Sequence, residues 1–159
     1  VSEIRTGGII TIRAQESVEL QNGFIATDTS SSQAAGNIDI QTARLTLVEG
    51  SQISTVTQGS GNAGVLNIST TESVLISDTS GINPSGLFSR TSSTGNAGRV
   101  SVETEQLTIQ DGGRISVAAE PDETGGLVSG DAGSALIQAE QISLQDNGQI
   151  TAANVSSTS

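Results

Sequence analysis

Apolar residues recur along this chain in short alternating runs. Ile10 and Ile12, Ile38 and Ile40, Leu66 and Ile68, Val100 and Val102, and Ala135 and Ile137 are each separated by one residue. A second set repeats the spacing at Val18/Leu20, Leu45/Leu47, Val74/Ile76, Leu107/Ile109 and Ile142/Leu144. A third follows at Ile25/Thr27, Ile53/Thr55, Leu87/Ser89, Ile115/Val117 and Ile150/Ala152. A period of two predicts strands with one buried face. Three short strands per unit, each too short to stand alone, are expected to draw their stability from equivalent strands in neighbouring units.

A glycine anchors every set. Gly61-Asn62-Ala63-Gly64 returns as Gly95-Asn96-Ala97-Gly98, with looser relatives at Gly130-Asp131-Ala132-Gly133 and Ala34-Ala35-Gly36. The last glycines of these phrases, with Gly8, lie 28, 28, 34 and 35 residues apart, so five copies of one unit fill residues 1–159 as a single repeat segment. Short strands with frequent turn signals also suit a β-sandwich of hairpins. A sandwich, however, has no reason to place the same side-chain class at the same offset in every copy. A solenoid does, because each position stacks on its counterpart about 4.8 Å away. The predicted fold class is all-β: a right-handed parallel β-helix of about five triangular coils with three short strands each.

Turn chemistry supports this prediction. Asn22-Gly23, Glu49-Gly50, Asp111-Gly112 and Asp146-Asn147 separate the second and third strands. The second member of each pair is Gly or Asn, which tolerate positive φ. Length varies in two places: Asp78 to Ser85, containing Asn83-Pro84, and Ala118 to Ala132, containing Pro121 and Gly125-Gly126. Insertions confined to corners leave the strands in register, and both are candidate functional loops.

Composition then removes whole classes of chemistry. The chain has no Cys, His, Lys, Met, Trp or Tyr, and its two aromatics are Phe24 and Phe88. That excludes a Ser-His-Asp triad, a thiol nucleophile, a Schiff-base or P-loop lysine, and a zinc site of the usual kind. No disulfide framework holds the fold, and no apolar run reaches the length of a membrane span. Seventeen acids against six arginines leave a net charge of −11, which argues against nucleic-acid partners and anionic membrane surfaces. Ser and Thr make 42 of 159 residues, a content that also suits disorder, but 37 residues are Val, Ile or Leu in regular order.

Few residues are left as candidates for chemistry. Gly59-Ser60-Gly61-Asn62-Ala63-Gly64 is a literal G-x-G-x-x-G. A dinucleotide site needs a helix immediately afterwards, whereas Val65 to Ser69 alternate as a strand. Glu49, Asp78, Asp111 and Asp146 fall at one turn position in successive copies, with Asn22 in the first. Stacked, they would share a cation such as Ca²⁺ or lean outward as solvated turn caps. They are the weak metal candidates; otherwise no cofactor is expected. Glu103 and Glu105 are spaced to share a strand face, as a glycosidase pair would, with a solvated acidic face as the alternative. Ala26, Ser54, Phe88, Ser116 and Thr151 form the outward row of the third strand. There Phe88 is either a contact residue or packed beneath the insertion that precedes it.

One family resemblance runs along nearly the whole chain. The elements that carry it are Gly-Asn-Ala-Gly, an alternating strand, Leu45-Thr46-Leu47 or Ser73-Val74-Leu75-Ile76, and Gly50-Ser51-Gln52-Ile53-Ser54-Thr55. In that order they resemble the repeats of filamentous-haemagglutinin-like exoproteins of two-partner secretion, and most of all the cyanobacterial type. The resemblance implies a right-handed β-helix, exported across the outer membrane and displayed or released as an adhesin-like fibre. Members carry Asn-Pro motifs in an amino-terminal secretion domain, and here only Asn83-Pro84, inside an insertion, matches. The chain is therefore expected to be an interior slice of a longer solenoid. The sequons at Asn67 and Asn154 carry no weight in a bacterial exoprotein. The expected function is non-enzymatic: a structural or adhesive segment, secreted or at the cell surface, with no catalytic residues. Its expected partners are neighbouring repeats, copies of itself stacked end to end, and a cell-surface or polysaccharide receptor. A polysaccharide lyase or hydrolase and a calcium-dependent binding module are the competing functions.

Overall fold

The computed structural model describes residues 7–78, 83–121 and 127–155. The middles of both insertions, including Gly125-Gly126, lie outside the described residues, as does Ser156 of the second sequon. Among the described residues there are eleven strands and no helix. The first copy of the repeat forms β1 (Ile10–Arg13), β2 (Ser17–Gln21) and β3 (Phe24–Thr29). The later copies follow as β4 (Ile38–Val48) with β5 (Gln52–Thr57), and β6 (Leu66–Ser77) with β7 (Gly86–Thr91). The last two pairs are β8 (Arg99–Gln110) with β9 (Arg114–Ala119), and β10 (Ser134–Leu144) with β11 (Gln149–Asn154).

Three separate strands per repeat therefore hold in the first copy only. In the other four the first two alternating runs join into one strand of 11 or 12 residues. The copies also differ in spacing: Ile40 and Leu45 are five residues apart, whereas Ile68 and Val74 are six. The extra residue is taken up as register irregularities between Thr42 and Arg44 and between Ser69 and Ser73, as a β-bulge absorbs it.

Every strand pair is parallel. One sheet runs β1-β4-β6-β8-β10, with β2 also on β4, and the other runs β11-β9-β7-β5-β3. Each repeat thus adds to both sheets, an all-β arrangement consistent with a β-solenoid. Equivalent residues meet in columns: Ile10, Ile38, Leu66, Val100 and Ala135 in one, and Leu20, Leu47, Ile76, Ile109 and Leu144 in another. A third column, on the second sheet, is Ile25, Ile53, Leu87, Ile115 and Ile150. Their middle members form the core, with Ile38, Ile40, Leu45, Leu47, Ile53 and Leu66 fully buried. Burial of each such side chain contributes roughly 1.5–3 kcal/mol.

The anchor glycines answer to this stacking. A Cβ on Gly36, Gly64, Gly98 or Gly133 would fall on the carbonyl oxygen of the anchor glycine one repeat earlier. Among the described residues nothing lies within 4 Å of a Cβ on Gly8. Gly64→Ala is accordingly expected to cost ~3 kcal/mol or more, because the atom it strikes belongs to a hydrogen-bonded backbone. Gly8→Ala should stay within about 0.5 kcal/mol. Urea unfolding of the two variants measures the contrast, and equal costs would contradict the stacking explanation.

Candidate functional site

The turn between the two sheets carries the acidic candidates. Val48–Ser51, Gln110–Gly113 and Gln145–Gly148 are closed by N–H donation to the carbonyl three residues back, at 3.2, 2.9 and 2.8 Å. Both central residues have positive φ: Glu49 and Gly50 at 56° and 78°, Asp111 and Gly112 at 52° and 80°, Asp146 and Asn147 at 45° and 66°. That is the φ pattern of a type I′ turn. It extends positive φ from the second member of each pair to the first, where an acid has to adopt it. In the first copy the positive φ falls on Asn22 instead.

The four metal candidates do not form one cluster. The Glu49 carboxylate accepts from Gln21 Nε2 at 3.0 Å, and Asp111 Oδ2 accepts from the Ser77 hydroxyl at 2.7 Å. Asp78 is buried at 8 % exposure, whereas Asp146 is exposed. Among the described residues no three His, Cys, Asp or Glu side chains gather closely enough to hold a metal ion.

Glu103 and Glu105 are brought together with further acid. Both point outward from β8, with the buried Thr104 between them. They lie in a shallow groove of about 590 Å³ that also includes Ser69 and Thr71 from the repeat below and Gln138 and Glu140 from the repeat above. On the inside of the same strands the Thr70 hydroxyl donates to Thr104 Oγ1 at 2.7 Å. Nearby, Arg44 pairs with Glu72 of the next repeat at 2.7 Å, with both side chains about half exposed. Such a surface pair contributes little. The groove offers hydroxyl, amide and carboxylate oxygens and no aromatic platform.

Phe88 is in the outward row, in register between Ser54 and Ser116, yet it is 2 % exposed. The Arg90 guanidinium lies over its ring, 4.3 Å from the centroid, a cation–π contact. Burial lowers the Arg90 pKa from its ordinary value; Glu120 opposes the shift and Arg114 adds to it. Phe88 therefore packs and is not available to a ligand on the surface. Gly86 makes room for the ring, since a Cβ there would meet it at 2.9 Å.

The G-x-G-x-x-G phrase is a corner between β5 and β6 and leads into a strand, so it has no helix N-terminus for a pyrophosphate. Its asparagine, Asn62, and those of neighbouring corners pair with backbone N–H groups of the next repeat. Asn62 Oδ1 accepts the Asn96 N–H, and Asn96 Oδ1 accepts the Asp131 N–H, each at 2.9 Å. Asn37 Oδ1 likewise accepts the Val65 N–H at 2.9 Å. In the sequence this ladder is marked by Asn62, Asn96 and Asp131 at the second position of three anchor phrases.

Glu49→Asn tests the turn stack. Asn enters positive φ more readily than Glu, so the variant should match the parent or gain up to about 1 kcal/mol, with no dependence on Ca²⁺. Thermal melts with and without the ion measure this, and a loss of stability seen only with Ca²⁺ would assign a bound cation. No family model, curated protein or solved structure matches the chain.

Proposed function

We propose that the chain is a non-enzymatic structural or adhesive segment of a secreted or cell-surface fibrous exoprotein of the filamentous-haemagglutinin-like kind. Its repeats form a right-handed parallel β-helix of five triangular coils. The bent strand supplies two faces of each coil and the second sheet the third. At about 4.8 Å per coil such a segment is a rod roughly 24 Å long. The observation that carries the proposal is the uniformity of the stack. Equivalent residues meet in parallel register from β1 to β10 and from β3 to β11, and variation is left to outward positions and corners. A body built this way is a spacer or display surface. A net charge of −11 keeps such rods soluble and mutually repelling outside the cell.

The acidic groove around Glu103, Glu105 and Glu140 is the feature that favours a polysaccharide-active enzyme instead. Two measurements separate the functions. Incubation with acidic and neutral polysaccharides, followed by product analysis, should show no turnover; cleavage abolished by Glu103→Gln or Glu105→Gln would overturn the structural role. Antibodies against the chain should label intact cells of the source organism or its medium. Labelling only after permeabilisation would overturn the exoprotein assignment.

A further inference from the structure

Asn-Gly is the dipeptide in which a peptide nitrogen most readily attacks the side chain before it, because glycine puts no Cβ in the way. The chain has two such pairs, Asn22-Gly23 and Asn147-Gly148, and one Asp-Gly pair, Asp111-Gly112. All three lie in the turn between the sheets, and Asn22 and Asn147 are exposed. That exposure belongs to the turn. Glu49 occupies the same corner with described repeats on both sides, and it is exposed as well. The glycine N–H must lose its proton before the nitrogen can attack, and the three pairs differ in what holds it. Gly148 donates to the Gln145 carbonyl of its own turn at 2.8 Å. Gly112 donates to the Asp146 carbonyl at 2.9 Å, and the Asp111 carboxylate accepts from Ser77 at 2.7 Å, so both reacting groups are engaged. Gly23 donates to a side chain, the Ser51 hydroxyl of the next repeat, at 3.1 Å. That is the longest of the three bonds, and one side chain supplies it.

We infer that Asn22 is a site of spontaneous deamidation and that the Ser51 hydroxyl of the following repeat governs its rate. The deprotonated Gly23 nitrogen bonds to the side-chain carbonyl carbon of Asn22. The side-chain NH2 leaves as ammonia, taking up the proton that Gly23 lost, and a five-membered cyclic imide remains. Water then opens the imide at either carbonyl, leaving aspartate or isoaspartate at position 22. The reaction needs neither enzyme nor oxidant, so it is independent of the role proposed above. Ser51 is fully buried, and its hydroxyl is fixed by donation to the Val48 carbonyl at 2.6 Å, which keeps its oxygen on the Gly23 N–H. The product bears on the stack. Between the paired positions Leu20/Leu47 and Phe24/Gln52 the first copy has three residues where the second has four. Isoaspartate adds a main-chain carbon to this shorter corner, beside the Gly23 carbonyl that accepts the Gln52 N–H at 3.0 Å. Modification therefore loosens the first repeat from the second at that corner.

Isotope labelling tests this. Trypsin cuts after Arg13, Arg44 and Arg114, so Asn22 and Asn147 fall on separate peptides. The folded chain is incubated in mildly alkaline buffer made with heavy-oxygen water, then digested in ordinary water, so label marks only what reacted in the folded state. By peptide mass spectrometry, residue 22 should take up label, as aspartate and isoaspartate, roughly fivefold faster than residue 147, the effect of one hydrogen bond. In urea, where neither turn survives, the two should react at about the same rate. Ser51→Ala, checked for folding by circular dichroism, should speed residue 22 roughly fivefold and leave residue 147 unchanged. Ser51→Thr, which keeps the hydroxyl, should react like the parent. No label at residue 22 in the folded chain, or labelling at residue 147 as fast as at residue 22, would overturn the inference. So would a folded Ser51→Ala variant that reacts at the parent's rate. Should Ser51→Ala not fold, the comparison with urea decides: residue 22 reacting no slower in the folded chain than in urea would remove the guarding role of Ser51.

Discussion

Backbone pairing between consecutive repeats, parallel and in register, is the constraint on which everything else in this molecule depends. It holds equivalent residues about 4.8 Å apart along the stack and makes each position answer to its own copy in the next repeat. An apolar residue can sit at an inward position only if its column is apolar, as in Ile38, Leu66 and Val100. The same closeness governs the corners. The anchor glycines are required less for a special φ than because any Cβ would occupy the space of a carbonyl oxygen one repeat away.

That constraint also explains a polar interior. The corners turn their carbonyls inward, where water cannot reach, and buried hydroxyls satisfy them. Thr27 donates to the Gly36 carbonyl at 2.6 Å, Thr55 to Gly64 at 3.1 Å and Thr29 to Gln33 at 2.8 Å. Thr57 and Thr91 bond the Gly61 and Gly95 carbonyls in the same way. No buried side-chain nitrogen or oxygen among the described residues lacks a partner. A buried polar group left unpaired would cost about 1–3 kcal/mol, so these columns are as much a condition of the fold as the apolar ones. Their hydroxyls also fix where each corner sits over the last.

Outward positions are freed by the same logic. With the stack secured inside, the exterior varies between hydroxyl, amide and acid, and only local circumstances draw a side chain back in, as for Phe88 beneath Arg90. The shallow groove collects carboxylates from two repeats because the stack places Glu105 and Glu140 on neighbouring strands.

By itself, the sequence determined the repeat, the inward columns and the corners, because each depends on side-chain class at a fixed offset and recurs in all five copies. Glu103 and Glu105 on one face followed from the period of two. Tertiary structure decided what depends on a neighbour across the stack. It joined the first two strands of four repeats into one, with Thr42, Thr70 and Thr104 buried within the continuous strand even where the register shifts between repeats. It gave positive φ to Glu49, Asp111 and Asp146, the first members of turns closed by an N–H donated to the carbonyl three residues back. It separated the turn acids by engaging Glu49 with Gln21 and Asp111 with Ser77. It also buried Phe88, whose place in the outward row gave no sign that Arg90, two residues on and on the same face, would lie across its ring.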